Sequence, residues 1–196
     1  MGGLQEICCG KTASLTKNEM KVVQFFCEGR LIINNRKDTL MQCDLQMESL
    51  MRIQESILYN CDARVEMAEA VYKAVGNGTE VGLLNFLQDA DVPIHLLINK
   101  KIGNILMISP HSPETKRSAV AIESPDRPNM VSIYIKGAPE MLINYCAKIN
   151  MGSADRTQEL GQAEKAEIID HIDKMAMQAL RVIGMAYIEL SRDQYE

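Results

Sequence analysis

Residues 129–140 read NMVSIYIKGAPE, the pattern of a strand followed by a turn and the start of a helix. Val131, Ile133 and Ile135 share one face of the strand, because side chains alternate between the two faces of a sheet with a period of two. The other face carries a serine, a tyrosine and Lys136. The sequence therefore predicts that Lys136 leaves the sheet on its polar side.

The small residues after Lys136 predict the turn and the helix. Gly137 gives the backbone freedom to turn and leaves room for a ligand to approach closely. Pro139 suits the first position of a helix, where its missing N–H has no partner to lose, and Glu140 complements the helix dipole in the first turn. A strand–turn–helix unit is predicted, with Lys136 and Gly137 at its corner.

Further strands are predicted on both sides of this unit. Residues 104–109 (NILMIS) and 117–124 (RSAVAIES) precede it, and residues 181–190 (RVIGMAYIEL) follow it with a similar alternation. Near the start, residues 19–34 are rich in valine, isoleucine and phenylalanine and are broken by Gly29. This stretch predicts two short strands joined by a turn.

Helical spacing of apolar residues appears in the rest of the chain. Residues 43–74 fit two helices, and a third helix is predicted to begin at about Glu80 with Thr79 as its N-cap. A longer helix is predicted over about residues 158–178. Together these elements predict an α+β fold in which an antiparallel sheet is flanked by helices.

The bulk composition restricts the class of protein. The 196 residues carry a formal net charge of −5, with 46% hydrophobic and 24% charged residues, which is typical of a soluble globular domain. No basic cluster is present and aromatic residues make up 5%, which argues against nucleic acid as a partner. Six cysteines fall at irregular spacings, so we expect neither a metal site nor a disulfide framework. No apolar run approaches the roughly 20 residues that a membrane helix needs.

Residues 8–16 read CCGKTASLT and contain the Gly-Lys-Thr of a phosphate-binding loop. That loop requires a second glycine five residues before Gly10, where this chain has Gln5. The stretch therefore does not fit a P-loop.

Four segments of the chain resemble segments of the P-type cation-transporting ATPases, and they occur along the chain in the same order as in that family. KGAPE at 136–140 resembles a motif of their nucleotide-binding domain, and ICCGKTASLTKNEM at 7–20 resembles their phosphorylation loop, I-C-S-D-K-T-G-T-L-T-x-N-x-M. NGTEVGLLNFL at 77–87 resembles the Asn-x-Thr-Glu segment that opens a helix, and MAMQALRVIGMAY at 175–187 resembles a late segment with Leu-Arg. Within the family, the chain looks most like the plasma-membrane type of calcium pump.

The resemblance implies how the chain is divided and what it works with. Residues 1–20 would be an edge of the phosphorylation domain, and residues 21–196 the nucleotide-binding domain. Its ligands would be ATP or ADP, with Mg²⁺ accompanying the nucleotide. Its partners would be the remaining phosphorylation, actuator and transmembrane domains of a full pump, at the cytosolic face of a membrane, while this chain itself is expected to be soluble.

The resemblance also implies a nucleotide site. Lys136 and Gly137 would lie at the mouth of the adenine pocket, and Glu80 would help to hold the adenine end of ATP. The alternative for Glu80 is a first-turn acid that only complements the helix dipole, and for Lys136 a solvated residue at the end of a strand.

Three more residues complete the implied site. His111 stands where the family has an aromatic residue that stacks on adenine, so weaker or pH-dependent binding is expected, because an imidazole ring offers less face and can take up a proton. Lys116, five residues later, would enclose the base, and Arg181 would contact phosphate with its planar guanidinium. A solvated loop lysine and a surface arginine are the alternatives.

The phospho-acceptor of the family is absent here. Gly10 stands where the family has the aspartate that receives the phosphoryl group, although Lys11, Thr12 and Ser14 match the loop around it. We therefore predict no catalytic residue in this chain and no ATP hydrolysis by the chain alone. A catalytically inactive nucleotide-binding or regulatory interaction module is the alternative to a working part of a pump.

Overall fold

The computed structural model describes residues 3, 5–6, 8–35, 39–68, 71–100, 105–123, 129–153 and 156–196. Its strands are β1 (Gln24–Cys27), β2 (Arg30–Ile33), β3 (Arg64–Ala68), β4 (Val71–Val75), β5 (Ile105–Ser109), β6 (Arg117–Glu123), β7 (Met130–Gly137), β8 (Lys148–Ser153), β9 (Arg156–Glu159) and β10 (Gly184–Ser191). Its helices are α1 (Thr39–Gln42), α2 (Met47–Tyr59), α3 (Gly78–Asp89), α4 (Ile94–Lys100), α5 (Pro139–Leu142), α6 (Gln162–Met177) and α7 (Arg192–Tyr195). The first residue of the predicted strand 104–109, the last residue of the predicted strand 117–124, and residues 1, 2, 4 and 7 of the predicted phosphorylation-domain edge lie outside the described residues.

The main sheet has four antiparallel strands in the order β10–β7–β6–β5. The strand that contains Lys136, β7, lies inside this sheet, where Tyr134 is opposite Val120 of β6 and Tyr187 of β10. Helix α2 packs against β7 and β10, and α5 packs against β10. The prediction of mixed helices and antiparallel strands is confirmed.

Three hairpins supply the other strands: β1 with β2, β3 with β4, and β8 with β9. The first confirms the pair of strands predicted around Gly29. The last was not predicted, because β9 is fully exposed and carries no alternating apolar residues. It occupies the first residues of the predicted helix 158–178, so that α6 begins only at Gln162.

The prediction of a second helix within residues 43–74 is wrong. Helix α2 is the first of the two predicted helices, but the chain then forms β3 and β4. Val65, Ala68 and Tyr72 are spaced like the face of a helix, yet they belong to two strands of one hairpin. In β4 the half-buried Tyr72 and Ala74 alternate with exposed neighbours, which is the period of a strand. Alternation and β-branched valines outweighed the accidental helical spacing.

Helix α3 begins slightly earlier than predicted, and its cap is a different residue. The side-chain oxygen of Asn77 accepts a hydrogen bond from the backbone N–H of Thr79 at 2.9 Å, so Asn77 is the N-cap. Thr79 lies inside the first turn, and its prediction as the cap is wrong. Asparagine is among the best N-cap residues, and it precedes threonine along the chain. Glu80 is then placed in the first turn, as expected.

The larger hydrophobic core lies between α2, α3 and α4. Ile57, Leu84, Leu87 and Ile94 are each no more than 2% exposed there. Burying an aliphatic side chain of this size contributes roughly 1.5–3 kcal/mol. This core therefore fixes the position of α3, the helix that carries Glu80.

The face of β7 that carries Lys136 is polar in composition but buried. Tyr134 and Ser132 are only 1% and 3% exposed. The hydroxyl of Tyr134 donates a hydrogen bond to Glu55 of α2 and accepts one from Arg52 at 3.1 Å. Burial raises the pKa of Tyr134, and the hydrogen bond to the Glu55 carboxylate raises it further. The polar side chains form an internal network rather than a solvated surface.

Arg52 joins α2 to the sheet through this network. Its Nη2 donates to Oε1 of Glu189 in β10 at 2.8 Å, and its guanidinium lies 4.6 Å from the ring centroid of Tyr187. Glu48, one turn earlier in α2, approaches it at 3.7 Å. The Arg52 side chain is 12% exposed, so its charge is largely withdrawn from water and depends on these partners.

Replacing Arg52 with alanine is expected to lower the free energy of unfolding by about 3 kcal/mol, because it removes the cation that pairs with the largely buried Glu189 carboxylate at 2.8 Å. Urea unfolding followed by circular dichroism measures the change. Arg192→Ala is the matched control, since Arg192 pairs with Glu196 at 2.7 Å at an exposed site, and no measurable change is expected there. Equal effects of the two substitutions would contradict the assignment.

Candidate functional site

A cavity of about 940 Å³ lies where the end of α2, the start of α3 and the main sheet meet. It also reaches the loop after β5 and the segment that precedes β10. All six residues that the sequence singled out for a site line this one cavity: Glu80, His111, Lys116, Lys136, Gly137 and Arg181. They come from four separate stretches of the chain, so the fold, and not sequence proximity, brings them together.

An ion pair between Lys136 and Glu80 crosses the wall of the cavity. Nζ of Lys136 lies 2.8 Å from Oε1 of Glu80, and the two side chains are 12% and 15% exposed. The other oxygen of Glu80 accepts hydrogen bonds from the backbone N–H groups of Asp62 and Ala63, both at 3.1 Å. The carboxylate thus links the first turn of α3 to the chain after α2.

These contacts keep Glu80 ionised. Burial acts to raise the pKa of its carboxyl group, but the hydrogen bond and charge of Lys136 and the two backbone donors outweigh it. The net effect is a pKa below the usual value for glutamate. A positive and a negative group are therefore both held in place beside the cavity.

Gly137 permits a close approach between two strands at the cavity. A Cβ atom at this position would lie 2.5 Å from the carbonyl oxygen of Lys116, inside van der Waals contact. That same carbonyl accepts a hydrogen bond from the backbone N–H of Ala138 at 3.0 Å. Lys116 itself has a positive φ of 50°, an unusual backbone conformation for a lysine. The turn that carries Lys116 is thus fastened directly to the corner after Lys136.

His111 lies in the exposed loop between β5 and β6 and shares the lining of the cavity with apolar residues. Ile105, Ile108 and Val120 form part of the same lining. The loop is closed by Ser112, whose hydroxyl accepts a hydrogen bond from the backbone N–H of Thr115 at 3.1 Å. A flat ring next to aliphatic side chains can accommodate the face of another flat ring.

Arg181 lines the cavity next to the first turn of α3. Its Nη1 donates a hydrogen bond at 3.1 Å to the hydroxyl of Thr79, in the first turn of α3. A guanidinium has five N–H donors, so this bond leaves others for a ligand. Arg181 and Thr79 together form an exposed polar rim.

Asn60, which ends α2, was not singled out by sequence reasoning. Its backbone carbonyl accepts a hydrogen bond from Nζ of Lys136 at 2.6 Å, and the residue is 7% exposed. The one available signal was an asparagine directly after an amphipathic helix, which is too common to identify a site.

The residues of the N-terminal loop do not line the cavity. Leu15 N–H donates to the carbonyl of Lys11 at 3.0 Å, which forms a turn around Thr12 and Ser14. A Cβ atom at Gly10 would have nothing within 4 Å. The structure therefore does not bring Gly10, Lys11, Thr12 and Ser14 together with the six cavity residues.

The end of this N-terminal segment is nevertheless held against α3. A Cβ atom at Gly82 would lie 2.7 Å from the backbone oxygen of Met20. The main chain at Met20 therefore touches the helix that carries Glu80.

Comparison with known proteins identifies relatives over almost the whole chain. Residues 48–196 match the family described as P-type ATPase, cytoplasmic domain N. The chain is 28% identical to the plasma membrane-type calcium-transporting ATPase 10 of Arabidopsis thaliana, over 99% of this chain and 17% of that protein. It is 27% identical to calcium-transporting ATPase 1 of Saccharomyces cerevisiae, over 97% of this chain and 20% of that protein. It is also 28% identical to the plasma membrane-type calcium-transporting ATPase 3 of Oryza sativa, over 97% of this chain and 18% of that protein.

The chain thus spans about a fifth or less of the length of these relatives. Among the described residues, no helix has the length and apolar character needed to cross a membrane.

Gly137→Ala is expected to destabilise the fold by about 2 kcal/mol, because the added methyl group meets the Lys116 carbonyl and cannot move aside. Gly78→Ala is the matched control, since its nearest neighbour would be a side-chain atom of Met20 at 3.6 Å and alanine favours helices. Urea unfolding of both variants measures the difference. Similar stabilities would show that the corner tolerates a side chain.

Proposed function

Since this chain belongs to the P-type ATPases through the match of residues 48–196, we propose that it is the ATP-binding cytosolic part of a calcium-transporting pump. The observation that supports this proposal is the convergence of Glu80, His111, Lys116, Lys136, Gly137 and Arg181 on one cavity. Four of these six residues carry a charge, and the charged groups are three cations and one carboxylate. ATP has a flat, largely apolar adenine end and a highly charged phosphate end. A site for ATP therefore needs both a surface that covers the base and cationic groups for the phosphates.

The size and lining of the cavity suit a nucleotide. Small-molecule sites have volumes of about 300–1,000 Å³, and this cavity of about 940 Å³ lies within that range. Its apolar wall includes Ile98, Ile105, Ile108 and Val120, which can cover the faces of a base. The guanidinium of Arg181 lines the same cavity and can bind phosphate oxygens, while Lys116 and Lys136 add positive charge to the lining.

Each residue has a role that follows from its place. His111 stacks on the adenine ring, and Lys116 encloses the base from the end of the same loop. Lys136 has three N–H donors and uses two of them on Asn60 and Glu80, which leaves one for the nucleotide. Arg181 contacts phosphate with the guanidinium donors that Thr79 does not occupy.

Mg²⁺ accompanies ATP in this proposal and is bound mainly by the phosphates, because this ion keeps most of its water and needs few protein ligands. Residues 21–196 form the nucleotide-binding domain, and residues 1–20 are an edge of the phosphorylation domain. In the full pump, the remaining phosphorylation, actuator and transmembrane domains would complete the machinery.

The chemical role is to position ATP for phosphoryl transfer to an aspartate. This chain has Gly10 at that position, and glycine has no side chain that can receive a phosphoryl group. Gly10 also favours the second candidate function. In that case the chain is a catalytically inactive module that binds nucleotide or another protein and has a regulatory role without hydrolysing ATP. In both cases this chain alone is not expected to hydrolyse ATP.

Titrating the purified chain with ATP and ADP is expected to give saturable binding at or below millimolar concentration. Lys136→Ala should weaken ATP binding by about tenfold, because a hydrogen bond to a charged group is lost. Lys148→Ala is the control, since Lys148 pairs with Glu159 on the exposed β8–β9 hairpin, and no change is expected. No saturable binding by the unaltered chain would reject the proposal and favour a regulatory interaction module.

His111→Phe is expected to tighten ATP binding, because a phenyl ring offers a larger apolar face to adenine. Isothermal titration calorimetry on the two chains measures the affinity. Unchanged affinity would place the adenine away from His111.

A further inference from the structure

Asn60 is a buried residue whose three described hydrogen bonds all lead to the elements around Lys136. Its side-chain nitrogen donates to the backbone oxygen of Ser118 at 3.1 Å and to that of Tyr134 at 3.3 Å. Its own backbone oxygen accepts from Nζ of Lys136 at 2.6 Å. A single residue at the end of α2 therefore contacts both β6 and β7. It also binds the ammonium of Lys136, which reaches from β7 to Glu80 of α3.

The two carbonyl groups that bind the Asn60 amide are well fixed. Ser118 is paired with Lys136 across the β6–β7 ladder, and Tyr134 lies two residues before Lys136 in β7. Both acceptors belong to the main chain of the sheet, so the amide is anchored to a rigid element. An amide nitrogen has two N–H donors, and both are used here.

This anchoring determines where the backbone oxygen of Asn60 lies. The residue is in a non-helical conformation at the end of α2, with φ of −92° and ψ of 60°, so helix geometry alone does not fix its carbonyl. The side-chain amide takes over that task. The carbonyl and the Glu80 carboxylate then hold two of the three donors of the Lys136 ammonium.

We infer that Asn60 is a positioning residue for the nucleotide cavity, which sets the place and direction of the Lys136 ammonium through its side-chain amide. Asn60 also lines the cavity, but both of its amide donors are bound to the sheet and its carbonyl is bound to Lys136, so we place its effect on ATP with Lys136. This inference rests on the proposed function for its effect on ATP, but the placement of Lys136 can be measured without any nucleotide. Aspartate cannot replace Asn60, because its oxygens would face the two backbone carbonyls.

The first readout is the reactivity of the Lys136 amine in the absence of nucleotide. The chain is treated briefly with acetyl N-hydroxysuccinimide ester, and acetylation of Lys136 is measured by peptide mass spectrometry. Asn60→Ala is expected to accelerate acetylation of Lys136 several-fold, because an ammonium that loses a fixed acceptor becomes more exposed. Acetylation of the exposed Lys148 serves as the internal reference.

The second readout is a double-mutant cycle on ATP affinity. Asn60→Ala should weaken ATP binding by about tenfold in the unaltered chain, since Lys136 is no longer held in place. In the Lys136→Ala background it should cause little further loss, because the group that it positions is gone.

Asn34→Ala is the matched control for a structural role. Asn34 also donates a side-chain hydrogen bond to a backbone oxygen, that of Val22 at 2.6 Å, but it does not line the cavity. It should lower stability without changing either readout. If the Asn60→Ala chain does not fold by circular dichroism, Asn60→Leu is used, which preserves the approximate size, removes both donors and places no charge against the two backbone carbonyls.

The outcomes separate the two proposals. An unchanged rate of Lys136 acetylation overturns the positioning role, and so do fully independent effects of the two substitutions in the cycle. If the unaltered chain binds no ATP, the proposed function fails, while faster acetylation of Lys136 in Asn60→Ala still supports the role of Asn60.

Discussion

The ion pair between Lys136 and Glu80 is the interaction on which the arrangement of the site depends. It joins β7 to the first turn of α3 across 56 residues of sequence, and both partners are largely withdrawn from water. A buried pair is stable only when further hydrogen bonds satisfy both groups. Here the backbone N–H groups of Asp62 and Ala63 satisfy the carboxylate, and the carbonyl of Asn60 satisfies the ammonium. The pair therefore couples the sheet, α3 and the end of α2.

A second cation, Arg52, is held in a similar way on the same buried face of β7. Arg52 is held there by Glu189 and Tyr134, as Lys136 is held by Glu80 and Asn60. Helix α2 takes part in both arrangements. It carries the cation Arg52 in one, and its terminal residue Asn60 supplies an acceptor to Lys136 in the other. The helix is thus bound to the sheet by polar contacts near its middle and at its C-terminal end, while its apolar side packs into the core with α3 and α4.

Sequence patterns predicted most of the main elements, because these depend on local alternation, turn residues and helical spacing. The six site residues that line the cavity were named from the resemblance to the P-type ATPases, and their roles remain a prediction. Alternation revealed β7, and the small residues after Lys136 revealed the turn. Sequence reasoning failed where the pattern was ambiguous, as at Val65, Ala68 and Tyr72, whose spacing fits a helix but which form a hairpin. It could not find Asn60 or Arg52, since their importance comes from partners 58 to 137 residues away, and no local pattern records such contacts. The polar face of β7 was read correctly as polar, but only the packing of α2 shows that it is interior.

The contact between Gly82 and the backbone oxygen of Met20 has a mechanical consequence. The main chain at Met20 lies against α3 at Gly82, with no room for a Cβ atom between them. Any side chain at position 82 would therefore force the Met20 backbone and α3 apart. The distance between the helix that carries Glu80 and the segment that follows the Gly10 loop is thus set by the smallest residue.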